Sequence, residues 1–403
     1  MRRLLQRFLR YAGCVQGRDA FTGPQRAEVY LTNKCNLDCI ACWTFSPLLK
    51  GTNQLPPVEI EWPRAQTLLR DLAAGGCEEV LFVGGGEPMI YPKIMEALEL
   101  VKSLGMACFV TTNVTPITSK RANRMVQLGV DRLYASLWAA APETYDTTHP
   151  NASGETFLKI DKTLRELRDL KIRNRATKPR VVIHNVIFNQ NYHELRAMVD
   201  YAVEVGADAV QFTVPYTLPD RTDVLLMDAE MRAQVLEQID GIPGDVRAKE
   251  GLHGSGSFLW EFDLFRERVA ASTASEGHYD GNILDTLPCQ IGWFFTIVRA
   301  TGDVIPCCKG QNRPMGNINE KPFREIWESS RYGEFRHKAK YLPKSDPYFE
   351  PIGCTKMCDN VGQLIKIERH MQRLRPFEKA VRIGLSMTGH KRREEPGSAE
   401  GNE

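Results

Sequence analysis

Short apolar segments alternate with amphipathic ones from Ala27 to about Asp240, and this alternation constrains the fold more than any other feature of the chain. The short segments are rich in β-branched and aromatic residues and are mostly apolar on both faces, as buried parallel strands are. The sequence predicts six such strands, over residues 27–32, 79–84, 107–112, 132–137, 180–188 and 209–214. Amphipathic helices are predicted between them, over 62–74, 92–104, 119–128, 156–170 and 192–205. This order predicts an α/β fold, a partial (β/α)6 TIM-like barrel, with its chemistry at the C-terminal ends of the strands.

The length of 403 residues allows a second, smaller domain beside the barrel. A Gly-, Ser- and charge-rich stretch follows the last predicted strand and contains one helical piece over 258–271. We therefore expect five parts. They are a basic amphipathic N-terminal segment (1–26), the barrel (27–240), a linker with its helical piece (241–285), a small β-hairpin and helix domain (286–360), and a basic helix with a disordered tail (361–403).

Composition excludes some partners and favours metal or redox chemistry. The formal net charge of +2 gives no reason to expect a nucleic-acid partner. We find neither an apolar run of membrane-spanning length nor a continuous signal-peptide core, so a cytoplasmic location is expected. Eleven cysteines are many for such a chain, and clustered thiols in a reducing compartment point to metal binding rather than disulfides. Three lie outside the clusters and are expected to be buried or inert, namely Cys14, Cys77 and Cys108.

The first cysteine group is Cys35, Cys39 and Cys42, directly after the first predicted strand. Thiolates are the usual ligands of a 4Fe–4S cube. Three of them on one loop leave the fourth iron open, and an open coordination position is typical of a catalytic metal centre. The alternative is structural zinc, which would need a fourth ligand that this loop does not offer.

This loop resembles the Cys-x3-Cys-x2-Cys pattern of the radical S-adenosylmethionine superfamily. The resemblance implies that the cofactor's methionyl amine and carboxylate bind the open iron. It also implies that reduction cleaves the cofactor, giving a 5′-deoxyadenosyl radical that removes hydrogen from a substrate. Cys35, Cys39 and Cys42 would then form the catalytic centre. One departure is Ala41, where the family often has an aromatic residue near the adenine.

Further matches to this family follow in chain order. Gly84 to Pro88 closes the second strand, and the resemblance assigns Gly85, Gly86 and Glu87 to the methionyl amino group. Asn113 at the end of the third strand and Ser136 on the fourth are further candidate cofactor-binding residues, although Ser136 is as readily an ordinary strand hydroxyl. Strand alternation turns some polar side chains of the fifth and sixth strands into the barrel. We expect one of these to meet substrate or cofactor: His184, Asn185 or Gln211.

A second cysteine group surrounds a predicted hairpin that turns at Gly302. Cys289 and Cys307 flank the hairpin, and Cys354 and Cys358 follow with three residues between them. Four thiolates saturate a second iron–sulfur cluster, and four-cysteine zinc is the alternative that spacing alone leaves open.

The spacing of Cys289, Gly302 and Cys307 resembles the auxiliary-cluster extensions named SPASM and twitch, as does the later Gly316-Asn317-Ile318 segment. The cysteine count fits the shorter twitch form, so one auxiliary 4Fe–4S cluster is expected. Cys308 is ambiguous: it replaces Cys307 as ligand, lies near substrate, or is simply buried. We rank Cys307 first because it fits the Gly302 spacing.

The reaction that these resemblances imply is hydrogen abstraction followed by oxidation, epimerisation or rearrangement, with a reductant protein such as flavodoxin or ferredoxin. Our main expectation is a small or medium polar substrate: a sugar, cyclitol, nucleotide or lipid-linked glycan precursor. It rests on the 26 residues before the first strand, too few for the fused leader-binding domain of many peptide modifiers. The alternatives are a maturase of a ribosomal peptide and a non-catalytic iron–sulfur scaffold or electron carrier.

The N-terminal segment contains an apolar helical stripe bordered by arginines. Leu4, Leu5, Phe8 and Leu9 lie on this stripe, and residues 365–391 are similarly basic and periodically apolar. The functional interpretation is peripheral contact with the inner face of a membrane or with a lipid-linked substrate. The simpler interpretation, which we favour, is packing on the barrel.

Overall fold

A computed structural model describes residues 2–49, 55–249, 258–354 and 356–374. The predicted tail after residue 391 therefore lies outside the described residues. The strands are β1 (Arg26–Val29), β2 (Glu79–Phe82), β3 (Ala107–Thr112), β4 (Arg132–Ser136), β5 (Arg180–Val186), β6 (Ala209–Thr213), β7 (Leu259–Trp260), β8 (Phe295–Val298), β9 (Asp303–Ile305) and β10 (Gly316–Asn317).

Helices connect and cover these strands. The helices are α1 (Arg2–Gln16), α2 (Trp62–Ala74), α3 (Ile94–Ser103), α4 (Ser119–Leu128), α5 (Pro142–Thr148), α6 (Gly154–Arg173), α7 (Leu195–Glu204), α8 (Ala229–Asp240), α9 (Gly244–Ala248), α10 (Phe262–Ala270), α11 (Gly281–Leu284), α12 (Ile291–Phe294), α13 (Phe323–Trp327), α14 (Ser330–Tyr341) and α15 (Val361–Leu374). Short 3₁₀ helices cover Pro47–Leu49, Pro88–Ile90, Tyr192–Glu194, Asp223–Leu225, Ala274–Glu276, Gly310–Asn312 and Pro347–Ile352.

The strands of the described residues form one sheet in the order β10-β9-β8-β1-β2-β3-β4-β5-β6-β7. From β1 to β7 every neighbouring pair is parallel, as the βαβ pattern predicts. The predicted fold class is confirmed: six βα units form the partial barrel, and antiparallel strands follow in the C-terminal part. A large apolar core fills the space between the sheet and the helices. A smaller cluster around Leu81, Phe109 and Tyr134 lies on the opposite face of the sheet.

The auxiliary hairpin is joined directly to the barrel sheet. Its first strand, β8, pairs in parallel with β1, with Ala27 opposite Thr296 and Val29 opposite Val298. Its second strand, β9, returns antiparallel after a turn in which Gly302 takes a φ of +91°. Strand β1 therefore lies between the barrel and the C-terminal part, and the loop that follows β1 is placed next to both.

Helix α1 packs on the protein mainly through its C-terminal turns, while Gln6 in the N-terminal half accepts a hydrogen bond from Thr22 Oγ1. Cys14 and Val15 lie in an apolar cluster with Trp293 and Phe294. The buried Arg10 guanidinium donates to the backbone oxygens of Gly23, Pro24 and Gly76 and pairs with Glu78, which fixes the C-terminal half of the helix.

The other half of α1 projects outward, so the simpler interpretation of the apolar stripe holds only for the C-terminal turns. Leu4, Leu5 and Phe8 are 72%, 55% and 56% exposed. Among the described residues no helix has both the length and the apolar character required to cross a bilayer.

Candidate functional site

The loop that carries Cys35, Cys39 and Cys42 leaves the sheet directly after β1. Its first residues are held by a short pairing with the segment before α2, in which the amide of Asn33 donates to Val58 O (2.9 Å). Ile60 completes this pairing by donating to Leu31 O (2.9 Å). The three thiols lie within electrostatic reach of one another, since burial and then Cys42 and Cys35 raise the pKa of Cys39. The structure thus brings the predicted first group together at the C-terminal end of β1.

The sulfur of Cys42 is turned toward backbone amides. The amides of Thr44 and Phe45 donate to Cys42 Sγ at 3.4 and 3.3 Å. Amides directed at sulfur stabilise negative charge there, as in iron–sulfur proteins. Burial nevertheless raises the pKa of Cys42, and it raises that of Cys35 to about 11, so a cation is needed to hold these sulfurs as thiolates.

The glycines after β2 make room for the cysteine loop itself. A Cβ on Gly86 would collide with the carbonyl of Lys34, and a Cβ on Gly85 would collide with the Asn33 side chain. The amide of Glu87 donates to Lys34 O at 2.9 Å and locks the two segments together. Close approach at these glycines was predicted for a ligand. In the structure these glycines make room for the cysteine loop, and their contact with a ligand stays a prediction.

Glu87 links the ends of the second and third strands. Its Oε1 accepts hydrogen bonds from Met89 N (2.8 Å) and Thr112 Oγ1 (2.7 Å). Its Oε2 accepts one from Asn113 N (2.7 Å). Burial raises the pKa of Glu87 to about 7, against the lowering effect of these donors. Three acceptor positions of the buried carboxylate are therefore already used by the protein.

The side chain of Asn113 also makes its hydrogen bonds within the protein. Its Nδ2 donates to Asn36 Oδ1 in the cysteine loop (3.0 Å), and its Oδ1 accepts from Thr115. Asn113 therefore positions the loop between Cys35 and Cys39.

Three polar side chains lie side by side across the sheet, because Ser136 is opposite His184 and His184 is opposite Gln211. Gln211 Nε2 donates to Glu261 Oε2 at 2.9 Å. His184 Nδ1 is buried and has no hydrogen-bond partner among the described residues. Burial lowers the pKa of His184 to about 4, so its ring is neutral near pH 7. Of the fifth- and sixth-strand candidates, His184 at Nδ1 and Asn185 at Nδ2 both retain a buried nitrogen without a partner among the described residues.

Asn185, the third of those candidates, has a structural role. It is fully buried, and its Oδ1 accepts from the backbone amide of Trp138 (2.9 Å). Trp138 and Phe188 in turn pack with Ile40 and Ala41 of the cysteine loop. The aromatic surface beside this loop therefore comes from the ends of β4 and β5 rather than from the residue before Cys42.

The second group of cysteines is gathered at the end of the auxiliary hairpin. Cys307 directly follows β9, Cys289 precedes α12, and Cys354 and Cys358 follow the last 3₁₀ helix. Burial, and to a lesser extent the nearby Cys289, raise the pKa of Cys354 to about 12. Cys289 and Cys307 similarly act on Cys358. The four predicted cysteines are therefore neighbours.

Cys308 points to a different partner. Its thiol donates to Asp359 Oδ2 at 2.6 Å. Lys309 Nζ lies 3.9 Å from the same oxygen and 3.1 Å from the centre of the Tyr216 ring, just beyond the end of β6. The hydrogen bond to Asp359 distinguishes Cys308 from Cys307, and the choice of Cys307 as the ligand stays a prediction.

All eleven cysteines are free thiols. Within the described ranges no three His, Cys, Asp or Glu side chains converge closely enough to hold a single metal ion. Thiolates that each bind a different iron of one cube do not have to meet at a point.

Sequence reasoning missed two kinds of residue around these groups. Arg268 and Asp280, in the segment interpreted as a linker, hold the Cys358 backbone. A charged pair in a polar stretch gives no sequence signal of burial. Glu28 on β1 was passed over as one residue of an apolar strand. Burial raises its pKa to about 7, and no hydrogen bond to its carboxylate is found within the described part of the chain.

Comparison with known families identifies both regions. The family model for the Radical SAM superfamily matches residues 29–202. The SPASM model, described as an iron–sulfur cluster-binding domain, matches residues 289–355. These matches contain the first and most of the second cysteine group.

Curated relatives match across both regions. The AdoMet-dependent heme synthase of Methanosarcina barkeri is 28% identical over 74% of this chain and 81% of the relative. The PqqA peptide cyclase of Streptomyces rochei is 26% identical over 77% of this chain and 78% of the relative. These names leave our main expectation of a sugar, cyclitol or nucleotide substrate unconfirmed, and they fit the peptide alternative at least as well.

A solved structure shares the fold. Streptococcus suis SuiB bound to S-adenosylmethionine superposes with a TM-score of 0.56 at 17% identity, covering 78% of this chain and 68% of SuiB. This superposition shows the shared fold, and the two family-model matches identify the chain as an enzyme of the radical SAM superfamily with a C-terminal SPASM-type iron–sulfur domain.

Proposed function

We propose that this enzyme removes a hydrogen atom from a peptide and that the auxiliary domain helps to oxidise the product. The peptide substrate is supported by the peptide-cyclase relative, which aligns over both domains. The observation that carries the two-centre chemistry is the pairing of β1 with β8, since it joins the loop of the first cysteine group to the hairpin of the second.

The cofactors are those of the family: a 4Fe–4S cluster, S-adenosylmethionine and auxiliary iron–sulfur chemistry. When bound, they supply one-electron reduction and a radical that abstracts hydrogen from the substrate. A reductant is required, and we propose a flavodoxin- or ferredoxin-type protein. Eleven free thiols suit the reducing cytoplasm that we propose as the location.

The residues of the first loop fit a cluster with one open iron. We assign Cys35, Cys39 and Cys42 as its ligands. The support is their shared loop and the two amides that donate to Cys42 Sγ. Asn33 Oδ1, beside Gly85, is buried and has no partner among the described residues, so an unused acceptor lies next to this loop.

For S-adenosylmethionine, we propose that the Gly85–Glu87 segment and Ser136 form the binding surface. Glu87 has one acceptor position left on Oε2, so the methionyl amine would share it with backbone oxygens of the glycine segment. Asn113 acts mainly by holding the cysteine loop, through Asn36. The Trp138 ring is the aromatic surface available to the adenine in place of Ala41.

For the auxiliary cluster, we assign Cys289, Cys307, Cys354 and Cys358. Four thiolates fill a cube completely, which suits electron transfer better than substrate binding at iron. The protein positions this group through Asp280 and Arg268, which hold the backbone of Cys358 from both sides.

A second candidate is a non-peptide substrate. The relative with the higher identity of the two is named for heme synthesis, so related enzymes of this architecture do not act on peptides alone. Our sequence-based expectation of a small or medium polar substrate belongs to this second class.

One experiment tests the function and separates the candidates. Anaerobically reconstituted enzyme is incubated with S-adenosylmethionine and dithionite, and 5′-deoxyadenosine is measured. We expect wild type to form it and Cys35→Ala to form none. Deuterium transfer into 5′-deoxyadenosine from labelled peptides encoded near the gene supports the peptide proposal. Transfer from a labelled tetrapyrrole or sugar supports the second candidate, and wild type that never forms 5′-deoxyadenosine contradicts both.

We also propose that the outward half of α1 contacts anionic lipid. Leu4, Leu5 and Phe8 are exposed, and Arg3 and Arg7 lie on the same helix. Apolar side chains bordered by arginines are the composition of helices that lie in the membrane interface.

A further inference from the structure

The ammonium group of Lys309 is the starting point. Its side chain is only 8% exposed, although it carries a full positive charge. Its nearest carboxylate oxygen, on Asp359, is 3.9 Å away, well beyond the 2.7–2.9 Å typical of charge-assisted hydrogen bonds. Among the described residues no hydrogen bond from Nζ is found. A largely buried ammonium whose N–H donors have no partner among the described residues is stabilised further by an anionic acceptor.

Asp359 does not supply that acceptor. Its Oδ2, the oxygen closest to Lys309, already accepts the thiol of Cys308 at 2.6 Å. The Asp359 side chain is 44% exposed and therefore retains much of its hydration, whereas the lysine does not. The Tyr216 ring, whose centre is 3.1 Å from Nζ, compensates part of the charge but accepts no conventional hydrogen bond.

Lys309 lies where the auxiliary domain meets the barrel. It extends from the end of the auxiliary hairpin to Tyr216, three residues after β6 ends, so it bridges the auxiliary domain and the C-terminal end of a barrel strand. Chemistry in this fold takes place at these strand ends. The same region contains Glu28 and Tyr30 of β1, since Asp359 lies close enough to raise the pKa of both.

We propose that Lys309 binds a carboxylate of the substrate and so orients it between the two domains. The strongest partner for a desolvated ammonium is an anionic oxygen, and a carboxylate is the anion that a peptide carries, on an acidic side chain or at its C-terminus. This inference rests on the proposed function and refines it: the substrate bears an acidic group near the atom that reacts.

Binding of simple carboxylates tests this directly. Holoenzyme is titrated anaerobically with glutarate and with N-acetyl-glutamate amide, followed by ligand-observed NMR. The neutral controls are glutaramide and N-acetyl-glutamine amide. We expect the two acids to bind and the neutral amides to bind about tenfold more weakly or not at all. Broadening of the ligand signals on dithionite reduction would place them near a paramagnetic cluster. Glutarate alone binding indicates a small-molecule acid, and both acids binding indicates a peptide side chain.

Lys309→Gln should weaken binding of both acids at least tenfold, and Lys321→Gln, at an exposed lysine of the same domain, should not. Equal binding of acids and amides, or equal binding by Lys309→Gln and wild type, overturns the proposal. A third outcome also overturns the proposal: wild type binds no carboxylate, and Lys309→Gln changes only the reduction potential of a cluster. The lysine would then balance cluster charge and would not bind substrate. These titrations need no turnover, so their failure is distinct from a failure to form 5′-deoxyadenosine.

Discussion

Arg268 and Asp280 form a buried, two-point ion pair, with Nε to Oδ1 at 2.9 Å and Nη2 to Oδ2 at 2.7 Å. The side chains are 7% and 1% exposed. Both also grip the chain at Cys358: Asp280 Oδ2 accepts from Cys358 N (2.8 Å), and Arg268 Nη2 donates to Cys358 O (2.9 Å). A pair outside the auxiliary domain therefore fixes a cysteine inside it.

Breaking this ion pair should prevent the second cysteine group from holding its iron–sulfur cluster. Arg268→Met leaves the Asp280 carboxylate buried without its partner, which costs about 3–5 kcal/mol for such pairs. We expect the iron content of the Arg268→Met variant to fall from about eight irons per chain toward about four, with the first cluster retained. Iron and sulfide analysis with EPR of the reduced protein measures this.

The matched control for this prediction is Arg266→Met on the same helix. Its pair with Asp240 is exposed and 3.4 Å long, so little stability depends on it. Equal iron loss in both variants would contradict a specific role for Arg268.

Gly86→Ala should prevent the first cysteine loop from seating. The added Cβ would collide with the carbonyl of Lys34. This carbonyl belongs to the backbone, so it cannot move aside as the end of a flexible side chain could. We expect loss of the first cluster and of 5′-deoxyadenosine formation, with the auxiliary cluster intact, as judged by EPR. Gly244→Ala is the control, because nothing lies within 4 Å of its added Cβ. A Gly86→Ala enzyme with normal first-cluster spectra would show that the contact is not needed.

Most strands and helices could be predicted from the sequence because the residue patterns that indicate them extend over only a few neighbouring residues. Helices α2 and α4 occupy the predicted residues 62–74 and 119–128, and β3 occupies 107–112. Two-residue β7 gave no signal, since alternation needs several residues to be visible. The pairing of β8 with β1 is a contact between distant parts of the chain, and no local pattern specifies it.

The candidate site divides in the same way. Cysteine spacing is a local pattern, so both groups were found from the sequence. Whether a polar side chain is free depends on what folds beside it. Asn113 looked like a ligand-binding residue, but its side-chain amide is bonded to Asn36 within the protein. By contrast, His184 Nδ1 and Asn185 Nδ2 are buried without a partner among the described residues, although Asn185 Oδ1 accepts from a backbone amide. Such differences follow from tertiary packing and could not be read from single residues.

Glu28 should make stability depend on pH around neutrality. Burial, with Asp359 nearby, raises its pKa in the folded protein to about 7, above the ordinary value of 4.5. The folded state therefore binds this proton more tightly than the unfolded state. The resulting stability is full below pH 4.5 and is lost as the pH rises through about 7. As the pH rises from 6 to 8.5, the free energy of unfolding of Glu28→Gln should therefore increase relative to that of wild type by on the order of 1 kcal/mol.

Unfolding midpoints of both proteins across this range measure the difference. Glu320→Gln, at an exposed glutamate, is the control and should track wild type at every pH. A Glu28→Gln advantage that is constant with pH would rule out titration of this carboxyl as its source.

Replacing Cys307 and replacing Cys308 should have different effects on the iron content of the protein. Cys307 lies with the other auxiliary cysteines, while the Cys308 thiol is hydrogen-bonded to Asp359. We expect Cys308→Ala to keep about eight irons and Cys307→Ala to lose about four. The double variant excludes replacement of one neighbour by the other. Full iron in Cys307→Ala together with loss in Cys308→Ala would reverse our ligand assignment.

The exposed half of α1 should govern lipid binding. Leu4 and Phe8 are one helical turn apart and are 72% and 56% exposed, so they insert together if the helix lies on a bilayer. Co-sedimentation with phosphatidylglycerol vesicles should capture wild type and lose most of it for Leu4→Asp/Phe8→Asp, because charge in the apolar face opposes insertion. Leu158→Asp, at a leucine that is 58% exposed elsewhere, should bind as wild type does. Neutral phosphatidylcholine vesicles should capture less protein, since the neighbouring arginines then lack anionic headgroups. Negligible binding of wild type to both vesicle types would instead leave the exposed side chains of α1 as a surface without lipid affinity.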